Sequence, residues 1–252
     1  MVVIVRYSEI GLKGQNRPFF EKKLVTNIKL SIKNNNQPHA EIKRKTGRIL
    51  IYTSNPCKSL SKVFGIASFS ESIELDYDID SICKTALLLY KKGTFRITAH
   101  CLTNCGLSSQ RINEIAGAYI VDQTKAKVSL KEPDLNIGIE VIGNKAYLFT
   151  EKEKGPGGLP IGTQGLVAVL LENKKSIDAA IAMMKRGCKV VLIKSKDNID
   201  IKALFDYDPK IRIENEIPDK AEAIVVSDTL KDSKERHFNK PVLKPLVGEW
   251  QK

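Results

Sequence analysis

The segment 165–194 restricts the fold of this chain most strongly, because its pattern predicts a strand, a loop, a helix and a second strand in succession. It reads GLVAVLLENKKSIDAAIAMMKRGCKVVLIK, and its first apolar run ends at Leu171. We expect Ser176 to be the N-cap of the helix and Gly187 to end it in a left-handed conformation. A strand–helix–strand unit builds parallel sheets with helices on their faces. The segment therefore predicts a Rossmann-like α/β domain.

The loop between the first strand and the helix is where such units usually bind nucleotide phosphates. Backbone N–H groups close around phosphate oxygens in glycine-rich loops, because glycine adopts the required conformations at little cost. Here the loop contains no glycine, and its opening carboxylate repels an anion. Its residues are Glu172, Asn173, Lys174 and Lys175, followed by Ser176. The sequence thus predicts a nucleotide-binding scaffold without its phosphate-binding loop.

Length and composition place the chain among ordinary globular proteins. Its 252 residues suffice for two or three small domains, and 42% hydrophobic and 28% charged residues are typical of that class. No apolar run approaches the ~20 residues of a membrane span, so we predict no membrane association. The N-terminus, MVVIVRYSEI, lacks the features of a signal peptide. Five cysteines without a C-x-x-C motif favour a reducing compartment, and we expect a cytoplasmic protein.

The net charge of +12 is concentrated at the start of the chain. Residues 1–50 hold eleven Lys and Arg against three Glu, a balance of +8, whereas residues 195–239 hold eight against eleven acidic residues, a balance of −3. One interpretation is a well-solvated surface, and the other is a surface that attracts nucleic-acid phosphates. For the second, the candidate contacts flank a helix start and follow a hairpin: Lys13, Arg17, Lys22, Lys23, Lys43, Arg44, Lys45 and Arg48.

Two further α/β patterns precede the segment 165–194. The first has the element order of a ferredoxin-like fold, with helices at 17–33 and 59–64 and strands at 2–6, 41–45, 48–53 and 67–75. The second has helices at 81–91 and from Ser108 or Ser109 to Asp122, and strands at 94–100, 127–130, 135–141 and 146–150. We expect Asp80 or Ser81 to cap the helix at 81–91. The glycines and prolines within 152–162 predict a linker.

Six short motifs together resemble one family. They are RYSEIGLKGQNRPFFEKKL at 6–24, KVFGI at 62–66, AYLFTE at 146–151, GGLPIGT at 157–163, MMKRGC at 183–188 and PVLKPLVG at 241–248. In these segments the chain resembles the ThiI-type tRNA 4-thiouridine synthetases. That resemblance implies a multidomain α/β and α+β protein: an N-terminal ferredoxin-like domain at 1–57, a THUMP α/β domain at 58–153, a linker at 154–164 and a truncated, Rossmann-like PP-loop ATPase domain at 165–252.

The resemblance also implies a division of function, with tRNA as the partner. The first two domains would bind tRNA, and the third would use ATP to adenylate a uridine that then receives sulfur from a cysteine persulfide. The family places S-G-G-x-D-S after the first strand of the third domain. Here the interval to M-M-K-R-G is one residue short, and neither register restores the glycine pair or the aspartate. VVSDTL at 225–230 likewise lacks the glycines of the family's T-G-x-S-L-G-Q loop. We therefore expect a degenerate, shortened domain with no cofactor and no tight ATP binding; a homodimer is consistent with the family.

The sulfur chemistry departs from the family separately. A persulfide relay needs a nucleophilic cysteine near the activated base, and Cys188 is the only cysteine beyond residue 105. Its place between a helix end and a buried strand predicts a small core residue. We therefore predict a tRNA-binding protein that has no catalytic residues or depends on a catalytic tRNA-modifying partner. Two alternatives stay open: an active tRNA sulfurtransferase whose atypical loop uses Lys174 or Lys175, and a protein-interaction module.

The motif formed by His100, Cys101 and Cys105 has the residue types of half a metal site. A structural zinc needs four ligands, and the remaining histidines, His39 and His237, are isolated in the sequence, so we predict no metal. In the family, basic residues usually follow this strand. The remaining candidate phosphate ligands of this domain are Arg96 and Arg111.

Overall fold

Two β-sheets organise the chain, and the computed structural model describes residues 1–34, 40–194, 199–233 and 235–248 of it. The strands are β1 (Val2–Arg6), β2 (Glu41–Lys45), β3 (Arg48–Tyr52), β4 (Ser68–Asp76), β5 (Phe95–Cys101), β6 (Leu135–Ile142), β7 (Lys145–Phe149), β8 (Glu153–Lys154), β9 (Leu166–Leu170), β10 (Lys189–Ile193), β11 (Arg212–Glu214), β12 (Ala223–Val225) and β13 (Val242–Leu243). The helices are α1 (Arg17–Asn34), α2 (Ile79–Leu89), α3 (Ser109–Thr124), α4 (Lys175–Lys185) and α5 (Lys202–Phe205), with 3-10 turns at Glu9–Leu12, Gly14–Asn16 and Lys58–Lys62.

Two compact units share the chain, and each is discontinuous in sequence. The first comprises Met1–Arg6, His39–Cys57 and Ser68–Lys154, and we call it the sheet unit. The second comprises Tyr7–Pro38, Lys58–Ala67 and Gly155–Lys252, and we call it the C-terminal unit. The chain therefore passes from one unit to the other several times before residue 155.

The sheet unit contains one eight-stranded sheet. Its order is β2-β3-β1-β4-β7-β6-β5, with β8 paired to β4, and within it only β5 and β6 run parallel. The first four strands have the ferredoxin-like order that the sequence predicts. β4 pairs with β1 on one side and β7 on the other, so the two predicted α/β patterns share a strand. The ferredoxin-like part of the fold prediction is confirmed.

The second α/β pattern buries its helices against one face of this sheet. Ile82 of α2 and Ile112 and Ile120 of α3 are fully buried with Phe95 and Ile137 of β5 and β6. The N-cap of α2 is Asp78, whose carboxylate accepts a 2.8 Å hydrogen bond from the Ser81 N–H, so the expected cap at Asp80 or Ser81 was wrong. Asp78 has extended backbone and reaches the third helical residue, which is the usual capping geometry. The strand predicted at 127–130 is only a single bridge between Val128 and Phe95.

The C-terminal unit contains a parallel five-stranded sheet in the order β11-β10-β9-β12-β13. This is the 3-2-1-4-5 order of doubly wound nucleotide-binding sheets. Met184 of α4 and Val169 and Leu192 of β9 and β10 are fully buried together. The Rossmann-like part of the prediction is confirmed.

The glycine- and proline-rich segment 155–164, which lies within the linker predicted at 154–164, is bonded along its length to other parts of the C-terminal unit. The Gly157 N–H donates to the Ile66 carbonyl at 2.8 Å, and the Leu159 N–H donates to the Lys185 carbonyl at 2.9 Å. Gly158 has a φ of +72°, and a Cβ there would lie 2.2 Å from the Lys185 carbonyl oxygen. Only glycine fits such a close approach in this conformation. We call this segment the strap, because it is docked rather than free.

Candidate functional site

The carboxyl ends of β9 and β12 form the candidate site of the C-terminal unit. β9 lies between β10 and β12, so the connections that follow β9 and β12 leave in opposite directions across the sheet. Such a switch point is where open α/β sheets bind their ligands. Two loops meet here: the loop of Glu172 and Asn173 after β9, and Ser227 and Asp228 after β12. They border a cleft of about 450 Å³.

A cluster of charged side chains joins the two loops. Arg236 donates from Nη2 to Glu172 Oε2 at 2.9 Å and to Asp228 Oδ1 at 2.6 Å. Lys244 Nζ lies 3.2 Å from Asp228 Oδ2. The hydrogen bonds from Arg236 to Glu172 and Asp228 raise the pKa of its guanidinium. We call Glu172, Asp228, Arg236 and Lys244 the switch-point cluster.

The surroundings of the switch-point cluster are acidic. Asp232 and Glu235 also border the cleft, so four carboxylates and the Arg236 guanidinium line it among the described residues, with Lys244 beside Asp228. Asp232 is fixed by the Thr229 N–H at 2.5 Å and lies 3.5 Å from Lys175 Nζ. Among these side chains four carboxylates stand against three cations, and each cation is already paired with one of the carboxylates.

The backbone of the loop after β9 is bonded within the loop itself. The Ser176 Oγ accepts from the Glu172 N–H at 3.1 Å and from the Asn173 N–H at 3.3 Å. The Lys175 N–H donates to Asn173 Oδ1 at 2.9 Å. In nucleotide-binding sheets the N–H groups of this loop bind phosphate. Here the N–H groups of Glu172, Asn173 and Lys175 are already bonded within the loop.

Ser176 does not cap α4, so that prediction was wrong. The helix begins at Lys175 with Lys174 as N-cap, and the Lys174 side chain makes no capping hydrogen bond. Ser176 is fully buried inside the first turn, where its hydroxyl ties down the preceding loop. The other end of α4 is as predicted. Gly187 has a φ of +92°, and its N–H donates to the Met184 carbonyl at 2.9 Å in a Schellman-type end.

Cys188 is a core residue, as its sequence position indicated. Its side chain packs in the hydrophobic core of the C-terminal unit with 8% exposure. Burial, with a smaller effect from Glu222, raises the pKa of its thiol. A buried thiol with a raised pKa is a poor nucleophile.

Three of the candidate RNA-binding residues lie on β2, the edge strand of the eight-stranded sheet. Lys43, Arg44 and Lys45 are all exposed there. Lys43 Nζ is 3.2 Å from Glu41 and 4.8 Å from the centre of the Tyr52 ring. We call these three residues the β2 basic strip.

Arg48, on the neighbouring strand, faces a buried carboxylate. Its Nε donates to Glu140 at 2.6 Å, and the Nε of Arg6 donates to the other oxygen of that carboxylate, also at 2.6 Å. Glu140 is 2% exposed. Burial raises the pKa of Glu140, but the hydrogen bond from Arg48 and the charges of both arginines outweigh burial and hold the pKa below its usual value. Arg48 therefore neutralises an internal charge.

Arg96 and Arg111 differ in how accessible their guanidinium groups are. Arg96, half-buried, donates to Asn136 Oδ1 at 3.0 Å and to the Leu130 carbonyl at 2.8 Å. Arg111 is exposed in the first turn of α3 and pairs with Glu114 at 3.1 Å. Of these two, Arg111 has the more accessible guanidinium.

The remaining candidates belong to the C-terminal unit, around the start of α1. Arg17 donates to Glu21 at 2.8 Å and to the Tyr7 hydroxyl at 2.7 Å. Lys13 Nζ is 5.1 Å from the centre of the Phe20 ring. Lys22 is exposed and Lys23 is half-buried.

Sequence reasoning missed Arg236, Asp228 and Glu140. Arg236 lies 64 residues from Glu172 in the chain, so no local spacing connects them. Glu140 carried one signal: it is a charged residue inside the apolar strand pattern NIGIEVI, where a buried charge needs a partner.

No three His, Cys, Asp or Glu side chains in the described ranges are placed to hold one metal ion, and His39 lies outside those ranges. Among the described residues, no helix is both long and apolar enough to cross a membrane.

Two family models match the chain. The ThiI ferredoxin-like domain matches residues 2–70, and the THUMP domain matches residues 78–151. Among curated relatives, a "Probable tRNA sulfurtransferase" of Thermococcus kodakarensis is 39% identical and covers 75% of this chain and 54% of that protein. One of the same name from Methanocaldococcus jannaschii is 33% identical and covers 84% of this chain and 62% of that protein. The chain thus spans little more than half the length of these relatives.

Two solved structures are similar at more than 30% identity. PH1313 from Pyrococcus horikoshii has a TM-score of 0.87 and 32% identity over 99% of this chain and 95% of that one. A 4-thiouridine synthetase–RNA complex with bound ATP has a TM-score of 0.60 and 33% identity over 77% of this chain and 53% of that one.

The fold and the domain matches define a THUMP-domain protein with a ferredoxin-like N-terminal part and a Rossmann-like C-terminal sheet. The chain belongs to the ThiI family of such proteins, as its motifs predicted, and it is related to the tRNA sulfurtransferases.

Proposed function

We propose that this chain is a tRNA-binding protein of the ThiI family. The observation that carries this proposal is a THUMP domain in a chain whose first fifty residues have a net charge of +8. A relative of similar fold was solved in complex with RNA. Phosphate contacts by lysine and arginine supply affinity without reading sequence, and RNA helices are recognised largely by shape.

Within the sheet unit, the β2 basic strip is the surface on which we expect tRNA phosphates. The three residues are consecutive and exposed on an edge strand, so successive side chains reach both faces of that edge. The pair of Lys43 with Glu41 is largely exposed and contributes little, so it does not hold Lys43 back from a phosphate. Arg111 adds one accessible guanidinium in the same unit.

The test is tRNA binding by fluorescence anisotropy across a salt series. Replacing Lys43, Arg44 and Lys45 by Ala should weaken binding about tenfold or more and reduce the slope of log affinity against log salt by about 2 to 3. The matched control replaces three exposed lysines of the acidic region, Lys202, Lys210 and Lys220, by Ala. Equal losses in both variants, or binding that does not respond to salt, would contradict the proposal.

We further propose that the switch point does not bind ATP tightly and that the role in tRNA modification is non-catalytic or partner-dependent. The reasons are the three internally bonded N–H groups, the carboxylate-rich cleft, and Arg236 held between Glu172 and Asp228. Calorimetry with ATP should give no binding tighter than about 1 mM. Micromolar affinity, lost in a Lys174→Ala and Lys175→Ala variant, would overturn this part and leave tRNA binding untouched.

A second candidate is an active tRNA sulfurtransferase with an atypical ATP loop, and the names of the relatives favour it. It requires ATP binding and a reactive cysteine. Formation of 4-thiouridine in tRNA with a sulfur donor, lost in Cys188→Ser, would establish it. Binding of intact tRNA compared with binding of a trimmed acceptor stem distinguishes a protein-interaction module from both candidates. A basic face that normally binds an acidic protein would bind the two RNAs without preference. Cytoplasmic location and a homodimer stay predictions.

A further inference from the structure

Two cysteines lie side by side where β5 ends. Cys101 closes the strand, Cys105 lies in the loop leading to α3, and their Sγ atoms are 3.1 Å apart. Both sulfurs also face one acceptor, the Leu107 carbonyl, at 3.6 and 3.2 Å. Both are partly exposed, whereas the other three cysteines, Cys57, Cys83 and Cys188, are buried. Only this pair therefore combines proximity with access.

The two sulfur atoms are close enough for a bond to form after a small movement of the side chains. A disulfide has a sulfur–sulfur distance of about 2.05 Å, so the two atoms need to approach by about 1 Å. Gly106, which directly follows Cys105, has a φ of +81° and nothing within 4 Å of the place where a Cβ would stand, so the chain next to Cys105 is not crowded. No metal-binding group of three His, Cys, Asp or Glu includes this pair among the described residues.

We propose that Cys101 and Cys105 form a dithiol that converts to an intramolecular disulfide by exchange with a small-molecule disulfide of the glutathione class. One protein thiolate attacks a sulfur of the oxidised glutathione, forming a mixed disulfide and releasing one glutathione thiolate. The second protein thiolate attacks the protein sulfur of that mixed disulfide and releases the second. The two thiol protons end on the two glutathiones, so one disulfide is reduced as one is formed.

The disulfide would close the junction between β5 and α3. The Cys101 N–H already donates to the Ser109 Oγ at 2.9 Å, and the Ser108 Oγ accepts from the Arg111 N–H at 3.1 Å. A covalent link between residues 101 and 105 closes residues 102–104 into a ring beside the contact of Cys101 with Ser109. Oxidation therefore changes the connection that leads from β5 to the first turn of α3. This inference does not depend on the proposed function.

The chain offers a direct readout, because trypsin releases both cysteines on one peptide, residues 97–111, ITAHCLTNCGLSSQR. The full protein is equilibrated with mixtures of reduced and oxidised glutathione and quenched with N-ethylmaleimide in denaturant. It is then digested with trypsin, and the peptides are analysed by mass spectrometry. The expected product is this peptide with a mass two hydrogens below that of its dithiol form and with no maleimide attached. The peptides that contain Cys57, Cys83 and Cys188 should each carry one maleimide. In the Cys188→Ala control the same peptide should oxidise over the same range of redox mixtures.

Cys101→Ser and Cys105→Ser should each yield only the glutathione adduct or the maleimide adduct of that peptide. Circular dichroism of both variants shows whether the fold is kept, and the parent protein alone suffices for the main result. A doubly alkylated 97–111 peptide in every redox mixture would overturn the proposal, as would a disulfide that joins either cysteine to a different peptide.

Discussion

The guanidinium of Arg236 donates to both carboxylate oxygens of Glu172, with Nη2 2.9 Å from Oε2. The same Nη2 lies 2.6 Å from Asp228, so one side chain connects the ends of β9 and β12. A sheet of this order usually holds a phosphate group at that place by backbone N–H groups. Here an internal ion cluster joins the two strand ends, which makes the switch point a structural element of the unit.

Replacing Arg236 by Ala should destabilise the C-terminal unit by about 2 kcal/mol, because Asp228, which is 5% exposed, loses its bridging partner. Hydrogen–deuterium exchange of peptides from β9 and β12 measures the change. The control is Lys175→Ala, whose pair with Asp232 is half exposed on both sides and should contribute less than about 0.5 kcal/mol. Equal effects of both substitutions would show that the cluster is not a structural tie.

Ser176→Ala should cost about 1 kcal/mol, because the Asn173 N–H loses the hydroxyl acceptor and the Glu172 N–H keeps only the Leu170 carbonyl at 3.1 Å. The measurement is urea denaturation followed by circular dichroism. Ser61→Ala is the matched control, since that hydroxyl donates to the Lys58 carbonyl on an exposed 3-10 turn. We expect less than about 0.5 kcal/mol there. A silent Ser176→Ala would mean that the loop is not held through this hydroxyl.

The strap offers two neighbouring glycines that separate crowding from backbone strain. Both have positive φ, but a Cβ at Gly158 meets the Lys185 carbonyl at 2.2 Å whereas one at Gly157 meets nothing within 4 Å. Gly157→Ala should cost about 1 kcal/mol from conformation alone. Gly158→Ala should cost at least about 3 kcal/mol, because the strap must move away from α4. Urea denaturation compares them, and similar losses would mean that the strap yields easily.

Stability of the sheet unit should fall in acid through Glu140. Its pKa is lower in the folded protein than in the unfolded chain, so its contribution is complete above about pH 4.3 and is lost as the pH falls through the folded-state pKa. Glu140→Gln should cost about 3 kcal/mol at pH 7, and the difference from the parent should narrow below about pH 4. Denaturation in urea at pH 7, 5 and 3 checks this.

The control for Glu140 is Glu114→Gln, on the exposed face of α3. Glu114 pairs with Arg111 across one helical turn, and both side chains are about half exposed. We expect a change below about 0.5 kcal/mol at every pH. A parallel pH profile for Glu140→Gln and the parent would contradict the assignment.

The sequence predicted well those features that depend on residues close together in the chain. Phe20, Leu24, Ile28 and Ile32 recur at the helical period and are all buried in α1. Gly187 ends α4 because the left-handed position after the helix favours glycine. The spacing of apolar residues and the position of a glycine are both explicit in the sequence.

Long-range contacts explain what the sequence could not predict. Ser176 has the residue type and place of an N-cap, but it is fully buried and bonds the preceding loop instead. The pairing of Arg236 with Glu172 requires the strand order, because β12 must lie beside β9 before the two residues can meet. The glycines of the strap indicate a turn-rich segment equally well whether it is free or docked.

The interleaving of the two units has a consequence for synthesis of the chain on the ribosome. Residues 7–38 belong to the C-terminal unit, although they are made before almost all of the sheet unit. At roughly 5 to 20 residues per second, about 6 to 23 s pass between residue 38 and residue 155, where the last segment of that unit begins. During that time the apolar face of α1 lacks most of its own unit. A nascent chain of this protein therefore presents that face to chaperones well before its partners exist.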